Sequence, residues 1–112
     1  MGAGKVAAQC CHAALKAARA AAGGGAAARA RLREWERLGE PVIVVGLGAP
    51  GSGDGEGALL ALVAAAQAAG VPAATVRDAG RTQVAPGTFT VAALGPAREA
   101  DVDSLTGALK LL

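Results

Sequence analysis

Trp35 and Phe89 are the only aromatic side chains in the sequence, so any core this chain forms must be assembled from small aliphatic residues and alanine. Side chains of that size fill space only where helices and strands lie in tight contact. With 112 residues there is length for one domain with a two-layer core and none for a second. The shortage of rings also argues against stacking on single-stranded bases as a main mode of binding.

The formal net charge of +2 is too small to argue for nucleic acid by itself. Arg29, Arg31, Arg33 and Arg37 crowd one segment, where a solvated helix face accounts for them as well as a phosphate track does. Cys10 and Cys11 are adjacent and cannot form an ordinary unstrained disulfide. That favours a reduced intracellular setting over a secreted one, taken as cytoplasmic with organellar targeting left open, and no zinc-ligand spacing accompanies them. No uninterrupted apolar run reaches the roughly 20 residues of a membrane helix, so no membrane partner is expected.

Glycine and proline divide the chain. An alanine-rich helix is expected over 5–22, ending at Gly23-Gly24-Gly25, and a second over 26–38, with Gly39 as its stop and Pro41 beyond. The β-branched run at 41–45 reads as a buried strand and the glycine-rich stretch 46–57 as a loop. A third helix over 58–69 sets Leu59, Leu62 and Val63 on one face and stops at Gly70. Strands are expected at 71–77 and 88–94, then a short helix at 101–111 capped by Asp101 or Asp103. The fold class is therefore α/β: a small mixed sheet of three strands, the first two parallel through a right-handed crossover, packed with helices on both faces.

Between the last two strands lies Asp78-Ala79-Gly80-Arg81-Thr82-Gln83-Val84-Ala85-Pro86-Gly87, a polar turn bounded by apolar runs. Such a loop is either a solvated connection or the place where a rigid scaffold holds its chemistry. On the first helix Lys5, Gln9, His12 and Lys16 recur at steps of four, three and four and form one polar stripe. Val6, Cys10, Ala13 and Ala17 form the stripe beside it. The polar stripe begins at the helix N-terminus, where free N–H groups favour an anion such as phosphate. A lysine, a histidine, an aspartate and a threonine in these two segments could supply acid–base groups and an electrostatic clamp for hydrolysis at a carbonyl. Two nucleotide motifs are decoys. Gly46-Leu47-Gly48-Ala49-Pro50-Gly51 spells G-x-G-x-x-G, but further loop residues separate it from any helix, whereas a dinucleotide fold runs straight into one. Gly2-Ala3-Gly4-Lys5 echoes the end of a P-loop, but Val6 stands where serine or threonine is needed.

The segment Gly4-Lys5-Val6-Ala7-Ala8-Gln9-Cys10-Cys11-His12-Ala13 closely resembles the first-helix motif of the type 2 peptidyl-tRNA hydrolases, the archaeal and eukaryotic kind. The resemblance continues through Trp35-Glu36, the 42–45 run, all of 78–87, Thr90-Val91, Gly95-Pro96 and Leu109-Lys110-Leu111. It implies hydrolysis of the ester between peptide and tRNA, releasing tRNA for reuse, with no metal or other cofactor. Peptidyl-tRNA is then the RNA partner, DNA is not a partner, and a homodimer is compatible with the family. By resemblance the catalytic residues are Lys5, His12, Asp78 and Thr82, and the substrate-binding residues are Gln9, Ala79, Gly80, Arg81, Gln83 and Thr90. Asp78 would orient a water or a charged partner, Lys5 would hold a phosphate or a developing oxyanion, and Thr82 would donate to the ester region. His12 would carry or orient a proton, and Arg81 offers a planar fork suited to phosphate. Family members normally have four strands, the first a hydrophobic one ahead of the Gly-Lys helix. By that comparison the single domain over 1–112 is N-terminally incomplete. The alternative is a catalytically weak relative that acts as an RNA-binding or protein-interaction module.

Overall fold

A computed structural model describes residues 2–47, 55–77 and 89–112. The elements are helix α1 (Ala3–Ala22), α2 (Ala26–Arg37) and α3 (Gly55–Ala68), strands β1 (Ala73–Arg77) and β2 (Phe89–Leu94), and helix α4 (Glu99–Thr106). The alanine content of α1 sustains 20 helical residues because alanine loses no side-chain entropy in a helix. The Gly23–Gly25 break then turns the chain so that α2 packs back on α1.

The two glycine stops work by one mechanism. At the end of α2, Gly39 has φ +94°, its N–H bonds the Glu36 carbonyl, and the Glu40 N–H reaches back to Trp35 at 2.9 Å. At the end of α3, Gly70 has φ +77°, its N–H bonds Gln67, and the Val71 N–H reaches Ala66 at 2.8 Å. Both are Schellman closures, which need a left-handed residue that glycine supplies without a Cβ clash. Trp35 adds a staple, its Nε1–H donating to the Pro41 carbonyl at 2.8 Å. The second closure delivers Val71, 3% exposed, straight into the core.

β1 and β2 pair antiparallel, with Ala73 opposite Leu94 and Val76 opposite Val91. Helices α1 and α3 both pack on this pair, and α4 packs on α3. The buried core consists of Ala13 and Ala21 from α1, Leu59, Val63 and Ala66 from α3, then Val71 and Ala74. No large side chain is fully buried among the described residues, as the scarcity of rings anticipates. The stripe of Val6, Cys10, Ala13 and Ala17 is the inward one, buried at Ala13 and half-buried elsewhere.

Three expectations need correction. The sheet has two described strands, not three. Residues 41–45 form no strand of the sheet, and among the described residues Val45 makes an isolated bridge with Leu111, through Gly46 N–H to the Lys110 carbonyl and Leu112 N–H to the Val44 carbonyl. A strand is defined by the neighbour that takes its N–H and C=O groups. Here the residues at 110–112 are that neighbour rather than β1, so no parallel crossover is formed among the described residues, and Val42 and Ile43 are 59% and 76% exposed. Next, α3 begins at Gly55, inside the stretch expected to be loop, with Glu56 in its first turn where a negative charge favours helix initiation. Last, the N-cap of α4 is Arg98, not an aspartate. Asp101 lies within the first turn and is held by the Arg98 guanidinium at 3.1 Å.

Because Ala66 is 0% exposed where α3 meets the sheet, Ala66→Leu should lower unfolding stability by about 1–3 kcal/mol through overpacking. The exposed Ala64→Leu should be nearly neutral. Urea melts of both variants check this, and equal midpoints would rule out the tight contact.

Candidate active site

Every described member of the expected site lies on α1 or β2. Lys5, half-buried, stands in the first turns of α1, followed by half-buried Gln9 and by exposed His12 and Lys16. The stripe is not simply a wet face. Gln9 Oε1 accepts the Thr90 hydroxyl at 2.6 Å, and Lys16 Nζ donates to the Thr75 carbonyl at 2.7 Å, so one helix edge is tied to both strands. Lys16 also has a structural role. The Pro72 carbonyl accepts from Gly95 at the far end of the pair. Carbonyls alternate in direction along a strand, so that of Thr75 points away from β2, to the edge of β1 where the lysine takes it.

Thr90 has an unusual place in the sheet. Val76 is opposite Val91 and Arg77 is opposite Phe89, leaving Thr90 with no residue across from it. It is the extra residue of a β-bulge, a device that re-aims a side chain and often lies beside an active site. Its hydroxyl is aimed at Gln9 of the helix stripe. The base of the bulge is clamped twice. The Arg77 guanidinium lies 4.2 Å from the Phe89 ring centroid, a cation–π contact of about 0.5–1 kcal/mol at an exposed site. The Phe89 N–H donates to Glu56 Oε2 at 2.8 Å.

Sequence patterns missed Glu56, Arg77 and Phe89. Nothing in their spacing brings position 56 to position 89, although an acidic residue in a helix's first turn marks a group worth following. Asp78, Ala79, Gly80, Arg81, Thr82 and Gln83 lie outside the described residues.

The electrostatics separate structural charges from available ones. On α2, Arg37 grips Glu34 by two hydrogen bonds at 2.6 and 3.0 Å. That grip holds the carboxyl below its usual range and raises the guanidinium. Arg29 donates to the Gly24 carbonyl at 2.6 Å. Two of the four clustered arginines are thus engaged locally, which favours the solvated face over a phosphate track. Burial pushes the Cys10 thiol up, and the neighbouring Cys11 adds to the shift. Cys10 shares an apolar groove with Ala3, Val6, Ala7, Val44 and Leu112. Among the described residues no cluster of three or more histidines, cysteines or acids could hold a metal, and no helix is long and apolar enough to cross a membrane.

A polar stripe along α1 and a bulged strand that presents a hydroxyl to it define a small α/β domain whose polar helix edge is tied to its strand pair. Comparison with known proteins narrows the class. Residues 1–112 match the family model described as peptidyl-tRNA hydrolase PTH2. The chain is 41% identical over 111 residues to human "Peptidyl-tRNA hydrolase 2, mitochondrial", covering 99% of this chain and 57% of that protein. It is 42% identical over 111 residues to the peptidyl-tRNA hydrolase of Halobacterium salinarum, covering 99% of this chain and 88% of that one. With that of Methanocaldococcus jannaschii the identity is 38% over 112 residues, covering 100% and 90%. The chain belongs to the PTH2 family of peptidyl-tRNA hydrolases. It spans little more than half the length of the mammalian relatives and about nine-tenths of the archaeal ones.

Two measurements follow. In a double-mutant cycle of Gln9→Ala and Thr90→Val, the pair should show a coupling of about 1 kcal/mol in urea unfolding, and strict additivity would mean the bond contributes nothing. For Cys10, the raised pKa means that the neutral thiol is favoured in the fold and the unfolded chain ionises first as pH rises. Its contribution to stability is therefore full below the unfolded thiol's range and is lost as pH climbs through the folded value. In a Cys11→Ser background, the rate–pH profile of iodoacetamide alkylation at Cys10 should shift to higher pH on folding. Superimposed folded and urea-unfolded profiles would contradict it.

Proposed function

We propose that this protein hydrolyses the ester bond between peptide and tRNA in peptidyl-tRNA, freeing the tRNA for reuse. The observation that carries the proposal is the junction of Gln9 with Thr90. It ties the first-helix motif at 4–13 to Thr90, another position of the resemblance, in a chain that matches the family model from end to end.

In this scheme Lys5 and the N–H groups at the start of α1 hold a phosphate of the tRNA end or the oxyanion that develops at the ester. Asp78 orients the attacking water, Thr82 donates to the ester region, and His12 carries or orients a proton. Gln9 and Thr90 form the wall between them. While the Thr90 hydroxyl occupies Gln9 Oε1, the amide nitrogen of Gln9 remains a donor for substrate. Ala79, Gly80, Arg81 and Gln83 shape the pocket for the tRNA end, with Arg81 directed to phosphate. Helices on both faces of the sheet belong to the same proposal. Its support is that α1 and α3 pack on the same strands without packing extensively on each other. A cytoplasmic location and a homodimer are further proposals, to be checked by fractionation and by light scattering. A protein found only in organelles, or one that stays monomeric, would refute them respectively.

Asp78→Ala should reduce peptide release from peptidyl-tRNA by about 10²–10⁴-fold, the range for loss of a positioned acid–base group, while leaving the thermal melt in place. A folded wild-type protein that binds tRNA with a steep salt dependence yet releases no peptide would establish the binding-module alternative instead.

A further inference from the structure

We propose that Glu56 is a positioning residue for the hydrolysis: its carboxylate holds the first residue of β2 and thereby fixes the bulge that turns Thr90 toward Gln9. This rests on the peptidyl-tRNA hydrolase function proposed above.

The reasoning starts at the ladder. Where Thr90 is inserted, the regular exchange of hydrogen bonds between β1 and β2 is interrupted. Phe89, the residue just before the bulge, finds its acceptor outside the sheet. Its N–H donates to Glu56 Oε2 at 2.8 Å, across 33 positions of sequence. An ionised carboxylate receiving a backbone N–H is a charge-assisted bond, stronger than the neutral ladder bond it stands in for.

A bulge is one register step away from a regular pair, and one step moves a side chain to the opposite face of a sheet. If β2 slipped to pair Thr90 across from Arg77, the hydroxyl would leave Gln9 and the stripe that carries Lys5 and His12. Among the described residues, two contacts at Phe89 oppose the slip in addition to the Thr90–Gln9 bond itself. The Arg77 guanidinium covers the Phe89 ring at 4.2 Å, and Glu56 takes the Phe89 N–H. Of these two, the ring contact orders the side chain, whereas the Glu56 bond holds the backbone and therefore the register. Because Glu56 belongs to the first turn of α3, the helix that packs on β2, its carboxylate is itself held on a rigid element. The start of β2 is thus pinned from α3 through Phe89 and from α1 through Thr90, on consecutive residues. Glu56 does not reach substrate in this arrangement. It acts through Phe89 and Thr90.

The test uses the full chain, a peptidyl-tRNA substrate and two variants, with amide hydrogen exchange as a second readout. Glu56→Ala should lower kcat about tenfold, with KM within about twofold of wild type, and should lose slow exchange at the Phe89 amide. Glu56→Gln keeps an oxygen acceptor and should restore both to within about twofold. Unchanged Phe89 exchange in Glu56→Ala overturns the contact whatever the activity. Normal kcat in Glu56→Ala with Phe89 exchange accelerated overturns the positioning role. Equal kcat loss in both variants, with Phe89 still protected in Glu56→Gln, overturns it also, because charge rather than register would then be responsible. A wild-type protein that releases no peptide, yet loses Phe89 protection in Glu56→Ala, refutes the hydrolase function while the contact stands.

Discussion

The close approach of α1 and α3 to one antiparallel strand pair is the constraint on which the rest of the structure depends. Each helix packs on the strands and buries alanine in the core, Ala13 at 1% and Ala66 at 0% exposure, and small side chains let backbones approach closely. At that separation, short and medium polar side chains span from helix to strand. The Gln9 to Thr90 and Lys16 to Thr75 bonds exist because the apolar stripe beside them has already set the distance. A core with larger side chains at these positions would hold the polar stripe away from β2.

Small side chains also limit what the core can supply. Burial of alanine removes little apolar area from water, so the fold relies on backbone devices to stop and aim its elements. The Schellman closures at Gly39 and Gly70, the Trp35 staple to Pro41 and the Phe89 bond to Glu56 are all of that kind. Several end on a residue that faces the site or enters the core. Stability and site geometry are therefore built from the same bonds in this domain.

Much of the architecture was legible along the chain because the signals involved are local. The α1 pattern, the stops at Gly39 and Gly70, and the presence of strands near 73–77 and 89–94 all follow from residues within a few positions of one another. The segment 41–45 reads as a sheet strand in sequence because a β-branched run records only that a segment prefers extension. Which neighbour will satisfy its backbone is a question of distant sequence, here residues 110–112. The aspartate cap of α4 failed for a related reason. Asp101 favours a helix start, but Glu99 and Ala100 before it were already able to join the helix.

The same division applies to the site. The order of residues determined which chemistry the chain could carry, and the spacing of Lys5, Gln9, His12 and Lys16 determined that they share one helix edge, because helical geometry is fixed at 3.6 residues per turn. The two long motifs also sufficed to reveal the family. Only the tertiary structure decided that this edge is tied to the strands, that Thr90 is the extra residue of a bulge, and that Glu56 secures it. Such facts depend on bonds between positions separated by 33 and 81 residues, and no local preference encodes a register that differs from its neighbour by a single step.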